Sequence, residues 1–302
     1  MSRAKTLFLV TRPWSFTFTA LVILFSSLLP LARGLAVDWA LVAVALAGSI
    51  LLHAMVNLLN DYYDYTRHVD RPGVGTVEYR PHPIVHGILT PRGTLLYGLA
   101  SGMAGLALAL LATLSRPYAI VLGGLGFILA YSYSGTPLGL KYKGLGELGV
   151  YLAWGILIPV GAYYLASGML SLYPVAAVLP LALGIVAVLM ANNIRDIEDD
   201  RKAGVRTIET IMGYRRSTLL FKATIYAVYA TGLVVGLLWR ELLPGALLGL
   251  LTLPQALRVA SMFDSGSPPP DADPRVAAML QRYAVLYMVG LALYLALTRL
   301  PL

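Results

Sequence analysis

Two asparagines and two aspartates in NLLNDYYDY (57–65) directly follow AGSILLHAMV (47–56), an apolar run suited to lipid. Helical residues three, four and seven apart share a face. His53, Asn57, Asn60 and Asp64 therefore form one polar stripe, with Asp61 on its edge and Asp70 beyond the helix end. The segment ANNIRDIEDDRKAGVRT (191–207) carries Asn193, Asp196 and Asp200 at spacings of three and four. Laid over the first stripe, these match Asn57, Asn60 and Asp64.

Carboxylates gathered in one pocket repel and raise one another's pKa, so two facing acidic stripes call for cations. Carboxylate and amide oxygens without Cys or His clusters suit hard ions, Mg²⁺ above all. Mg²⁺ takes one or two protein carboxylates and completes its shell with water and phosphate oxygens. Two Mg²⁺ bridged by a diphosphate would neutralise both stripes. Arg80, Lys141, Arg201, Lys202 and Arg206 stand in the adjoining loops, ready for the remaining oxygens. A single polar motif at a helix end is more often merely solvated; two of matched spacing on one side argue for a site. His53 reads as a hydrogen-bonded packing residue, Glu147 as a helix-start charge, and Tyr133, with Tyr131, as a ring that could face the pocket.

The elements that must hold these stripes are membrane helices. The chain has 302 residues, 58% hydrophobic and 13% charged, against about 25% charged in soluble domains. Apolar runs of roughly 20 residues recur, enough to cross a ~30 Å hydrocarbon core as helices. Nine spans are expected: 14–33, 38–66, 91–114, 117–134, 146–168, 173–198, 215–239, 242–262 and 277–299. The architecture is all-α, one transmembrane domain over 1–302. The two stripes lie four spans apart, which suggests two four-helix pseudo-repeats, about 14–134 and 146–262, followed by one last helix. No small-residue cleavage site precedes the first span. With no cysteine, disulfides, thiolate zinc and iron–sulfur ligation are excluded.

Of the 23 Lys and Arg, all but Arg33, Arg116, Arg240 and Arg299 fall on the N-terminal side of these spans. The positive-inside rule then puts the N-terminus and the polar loops 67–90, 135–145 and 199–214 in the cytoplasm of a multi-pass cell-membrane protein. The net charge of +8 is partly topological and needs no nucleic acid; no obligate protein partner is implied. Long loops tend to carry function, so the chemistry belongs on this face.

At these residues the chain resembles the UbiA superfamily of intramembrane aromatic prenyltransferases. Asn60-Asp61-Tyr62-Tyr63-Asp64 is similar to the first signature of that family. Asp196-Ile197-Glu198-Asp199-Asp200, followed by Gly204 and Arg206-Thr207, is similar to the second. RPWS (12–15), RPHPIVHG (80–87) and LKYKGLGE (140–147) extend the likeness nearly end to end. NLLNDYYDYTRHVD and NNIRD look like the MenA branch, which prenylates 1,4-dihydroxy-2-naphthoate in menaquinone synthesis, although His68 stands where that branch has Gly.

The resemblance implies nine helices around a central cavity with a cytoplasmic loop cap. It also implies transfer of a polyprenyl group from its diphosphate to an aromatic acceptor. Asn60, Asp64, Asp196 and Asp200 would hold Mg²⁺, with Asp61 in support. Lys141 and Arg206, then Arg80, Arg201 and Lys202, would contact the diphosphate. Arg12, Asn57 and Arg80 would meet the acceptor. Asn60 and Tyr133 would tolerate an allylic cation, and Asp70 would act as base or loop organiser. Hydroxybenzoate, a glycerol-phosphate lipid or a porphyrin-type ring remain open as acceptors. A secondary transporter is the alternative of another class, though its polar residues should lie near the midplane on broken helices.

Overall fold

The computed structural model describes residues 2–73, 77 and 80–299. Residues 74–76 and 78–79 of the 67–90 loop fall outside them. A short helix α1 (Arg3–Leu9) precedes the first span, α2 (Pro13–Ala32), whose opening turn is 3₁₀. Next come α3 (Trp39–Thr66), α4 (Pro91–Ala112), α5 (Ala119–Ser134), α6 (Gly146–Ser167) and α7 (Tyr173–Arg195). Two short helices, α8 (Ile197–Lys202) and α9 (Ile208–Met212), lead to α10 (Tyr214–Leu238), α11 (Leu243–Ser261) and α12 (Ala272–Arg299). Among the described residues eight helices are long and apolar enough to cross a bilayer; α5, with 16 residues, is shorter. Among the described residues a single β-bridge, Lys143 to Arg206, lies outside the helices.

Boundaries follow local chemistry. Asp38 caps α3 by accepting from the Leu41 amide, and Thr90 caps α4 through the Gly93 amide with Pro91 behind it. The helix expected over 173–198 stops at Arg195, because Asp196 turns to φ −95, ψ 8 and α8 begins anew. The last helix starts at Ala272 rather than 277: Pro274 lies in its first turn, where a missing N–H costs nothing. In α6, Pro159 offers no N–H to the preceding turn, and Leu152–Leu157 widens into a π-helical segment just before it.

With no hydrophobic drive between helices in lipid, close fit holds the bundle together. A Cβ on Gly105 would stand 2.8 Å from the Gly48 carbonyl, and one on Gly290 only 2.1 Å from the Gly245 nitrogen. Glycine thus lets α3 meet α4 and α11 meet α12. The largest packed cluster joins α2, α7, α10, α11 and α12 through Phe25, Leu181, Phe221, Ala246 and Tyr283. Leu96, Leu110, Leu237 and Leu251 are exposed, as lipid-facing side chains are. This is a multi-pass membrane protein.

Candidate active site

The C-terminal ends of α3 and α7, the loop before α6, and the starts of α2 and α12 meet at one end of a cavity of about 530 Å³. Its polar rim includes Arg12, Asn57, Asn60, Lys141, Asn192 and Asp273; its walls include Phe18, Leu52, Trp154 and Ile185. The π-helical segment of α6 contributes Ala153, Trp154 and Leu157 to the wall. A smaller apolar crevice of about 100 Å³ shares Leu52, Gly126 and Leu157 with it.

At the first stripe, Asn60 Nδ2 donates to Asp64 Oδ2 at 2.8 Å, and its Oδ1 accepts from Lys141 Nζ at 3.0 Å and from the Ser134 hydroxyl at 3.2 Å. Asp64 also accepts from Lys141 at 2.5 Å and from the Tyr142 hydroxyl at 2.8 Å. Burial alone would lower the Lys141 pKa, but Asp64, with Tyr133 and Asp70, outweighs it and the net shift is upward. Lys141 is a firm cation.

At the second stripe, Arg195 clamps Asp196 with Nε and Nη2, each at 2.7 Å, and reaches Asn192 Oδ1 at 2.9 Å. It also pairs with Asp273 on α12. Among the described residues Asp200 makes no ion pair within 4.0 Å. Burial pushes its carboxyl up to about 7; Lys141 pulls it down, while Asp196, Asp64 and Asp199 push it up. Asp200 therefore feels carboxylates from both stripes, and Asn60 and Asn192 line the same cavity. The pairs that correspond are Asn60/Asp64 and Asn192/Asp196, one helical turn earlier on α7 than the spacing predicts. All these donors are hard oxygens, the set that suits Mg²⁺.

Other expected site residues lie elsewhere. Asp61 is fully buried, bound by Arg12 and bidentately by Arg80 at 2.8 and 3.2 Å. It is a salt-bridge anchor rather than a cavity ligand. Arg80 lines the cavity but is committed to Asp61, with Asp70 3.9 Å away. Asp61, Asp70 and His82 come within 4.8 Å of one another, as metal ligands would, yet the two arginines already supply the positive charge. Burial would raise the Asp70 carboxyl, but the His82 hydrogen bond and the charges of Lys141 and Arg80 hold it at about 2. That suits a loop organiser and not a base. Arg201 and Lys202 are exposed on α8, paired with Glu198 and Asp199. Arg206 is exposed beside the Lys143 bridge.

Asn57 donates to the Thr11 carbonyl at 2.9 Å and the Ser15 hydroxyl at 3.1 Å, tying α3 to the start of α2. His53 lines the cavity and contacts Thr19, Ser15, Phe16 and Trp154. Tyr133 lines the cavity. The residues that sequence reasoning missed are Asn192, Arg195, Tyr142 and Asp273. Only Asn192 left a signal, its four-residue spacing to Asp196.

Comparison with known proteins bears on the fold and the family. The UbiA prenyltransferase domain-containing protein 1 of Homo sapiens is 29% identical over 262 residues, 85% of this chain and 75% of that protein. The 1,4-dihydroxy-2-naphthoate octaprenyltransferase of Bacillus subtilis (strain 168) is 28% identical over 240 residues, 78% of this chain and 75% of that one. A UbiA homolog from Archaeoglobus fulgidus, solved bound to GPP and Mg²⁺, shares the fold with TM-score 0.67 at 19% identity, covering 96% of this chain and 100% of that one. The apo UbiA homolog from Aeropyrum pernix K1 gives TM-score 0.68 at 20% identity, covering 94% and 98%. The model of the UbiA prenyltransferase family matches residues 17–280, and the chain belongs to that family.

Proposed function

We propose that this chain transfers a polyprenyl group from a polyprenyl diphosphate to 1,4-dihydroxy-2-naphthoate, with its N-terminus and polar loops in the cytoplasm. The observation that carries this reading is the meeting of the two Asn–Asp stripes, with Lys141 at the first, at the polar end of an otherwise apolar cavity. Mg²⁺, two ions in this reading, would be held by Asn60, Asp64, Asp196 and Asp200 and would stabilise charge on the departing diphosphate.

The chain's own residues supply the rest. Lys141 and Arg206, an exposed loop cation bridged to Lys143, contact diphosphate oxygens. The prenyl tail lies along Leu52, Trp154 and Leu157, where apolar walls exclude water from the allylic cation. Tyr133 presents a ring that a cation tolerates, and the Asn60 amide adds no competing charge. The C–O bond breaks with its electron pair leaving on the diphosphate. A ring carbon of the acceptor then forms the new C–C bond, and the ring regains its aromaticity by giving a proton to the departed diphosphate or, in the naphthoate, by releasing its carboxylate as CO₂.

Two observations favour an acidic aromatic acceptor. Arg12 lines the cavity beside Asn57, and its Nε is buried with no hydrogen-bond partner, a donor suited to a carboxylate. The Bacillus relative's name and the NLLNDYYDYTRHVD pattern favour the naphthoate.

The test incubates purified protein in lipid with Mg²⁺, geranylgeranyl diphosphate and a panel of aromatic acids, with products identified by mass spectrometry. Decarboxylated prenyl-naphthoate is expected. A product from hydroxybenzoate or a glycerol-phosphate lipid alone would reassign the acceptor. Solute movement across liposomes without any prenylated product would overturn the reading in favour of a transporter.

A further inference from the structure

Each stripe already contains a cation of its own. Lys141 Nζ lies 3.0 Å from Asn60 Oδ1 and 2.5 Å from Asp64 Oδ2. Arg195 Nη2 lies 2.9 Å from Asn192 Oδ1 and 2.7 Å from Asp196 Oδ2. In both places an Asn and an Asp four residues apart offer their oxygens to one basic side chain. Both basic groups are largely withdrawn from solvent, at 19% exposed for Lys141 and 9% for Arg195. Such groups keep the stripes tolerable, because a buried carboxylate without a partner is strongly destabilising.

Three of these four oxygen-bearing side chains, Asn60, Asp64 and Asp196, are among those that would hold Mg²⁺ under the prenyl diphosphate reading above, on which this inference rests. Lys141 or Arg195 and a metal ion cannot both own those oxygens. A metal ion entering alone would drive an ammonium and a guanidinium off their partners with no anion to receive them. A diphosphate entering alone would meet carboxylates that hold both basic groups. Entering together, the metal takes the Asn–Asp oxygens and the released cations take the diphosphate oxygens. Arg195 keeps Asp273 and the Pro270 carbonyl throughout as a tether on the start of α12.

We infer that Lys141 and Arg195 are built-in counter-ions that make metal and diphosphate binding conditional on each other, and that Arg195 is a diphosphate-positioning residue. Coupling of this kind typically changes affinity about 5–150-fold and acts equally in both directions. It would keep the enzyme from holding metal unproductively in the absence of its prenyl substrate.

The test is calorimetric titration of the protein in nanodiscs with Mg²⁺ alone, inorganic pyrophosphate alone, and Mg²⁺ with pyrophosphate present. The wild type should bind Mg²⁺ at least about tenfold more tightly with pyrophosphate than without it. Arg195→Gln and Lys141→Gln should each bind Mg²⁺ alone more tightly than wild type, bind Mg²⁺–pyrophosphate more weakly, and lose most of the coupling. A purely structural arginine would show the opposite sign, with Mg²⁺ alone also bound more weakly. That result, or unchanged coupling, would overturn the inference. Arg195→Lys, which keeps the charge, should retain the coupling and guards against a folding defect in the Gln variant. If wild-type protein fails to bind pyrophosphate even with Mg²⁺, the diphosphate reading itself falls; if it binds without coupling, only the counter-ion inference does.

Discussion

Arg80 grips Asp61 with both terminal nitrogens, Nη2 at 2.8 Å from Oδ1 and Nη1 at 3.2 Å from Oδ2. Arg12 adds a third contact from the start of α2. The three residues bind the end of α3 to the 67–90 loop and to the N-terminal segment. Breaking a buried ion pair by removing one partner costs about 3–5 kcal/mol. Asp61→Asn should therefore lower the melting temperature by similar amounts in EDTA and in Mg²⁺. Mg²⁺ affinity measured with pyrophosphate present should change little. A variant of normal stability with lost Mg²⁺ affinity would return Asp61 to the metal ligands.

His68 occupies the left-handed region at φ 59, just past the end of α3, and the next two amides, of Val69 and Asp70, return to the Asp64 carbonyl. This conformation costs an ordinary residue about 1–2 kcal/mol, somewhat less for His, and costs Gly nothing. It explains why glycine would suit position 68. His68→Gly should raise thermal stability slightly, and His68→Val should lower it by about 1–2 kcal/mol. Equal melting temperatures for the three proteins would contradict this.

Glu209 on α9 is fully buried, with Glu147, Asn193 and Thr207 around its carboxyl. Burial first, and then the charge of Glu147, push its carboxyl up to about 8. Between its ordinary value of 4.5 and about 8 the folded protein holds a proton that the unfolded chain has released. Stability should therefore fall as pH rises through that window and level off above it. Glu209→Gln should flatten the curve and be more stable than wild type at pH 8. Parallel pH–melting profiles for the two proteins would remove Glu209 from this role.

Much of this arrangement is legible from spacing. Apolar runs mark the spans, and the polar residues at i, i+3 and i+4 mark the helix ends that converge. What spacing could not do is rotate α3. Asn60 and Asp61 are neighbours about 100° apart on a helix, and only the packed structure turns Asn60 to the cavity and Asp61 to the arginines. Arg195 was hidden for a different reason: read along the sequence, it is one more charge obeying the positive-inside pattern. Its partners Asn192 and Asp273 lie on two helices, and Asp273 is remote in sequence. Arg201 and Lys202 misled in the opposite sense. They adjoin the acidic motif, but α8 carries them outward to pair within one turn.

The same contrast gives a graded test of the site. Asp64→Ala and Asp196→Ala each remove an oxygen donor from one stripe and leave Lys141 or Arg195 without its main partner. Prenyl transfer should fall by about 10²–10³-fold in each, the scale of losing one preorganised electrostatic group. Arg201→Ala and Lys202→Ala break only exposed pairs on α8, interactions worth about 0–1 kcal/mol. Their turnover should stay within about fivefold of wild type. Arg206→Ala should fall between the two classes and should weaken prenyl diphosphate more than the aromatic acceptor, because it is an exposed cation in the loop that bridges to Lys143 and suits the anion. If the α8 variants lose as much activity as the stripe variants, α8 must turn inward during the reaction. If Asp64→Ala and Asp196→Ala both retain near-normal turnover, the two-stripe site is wrong.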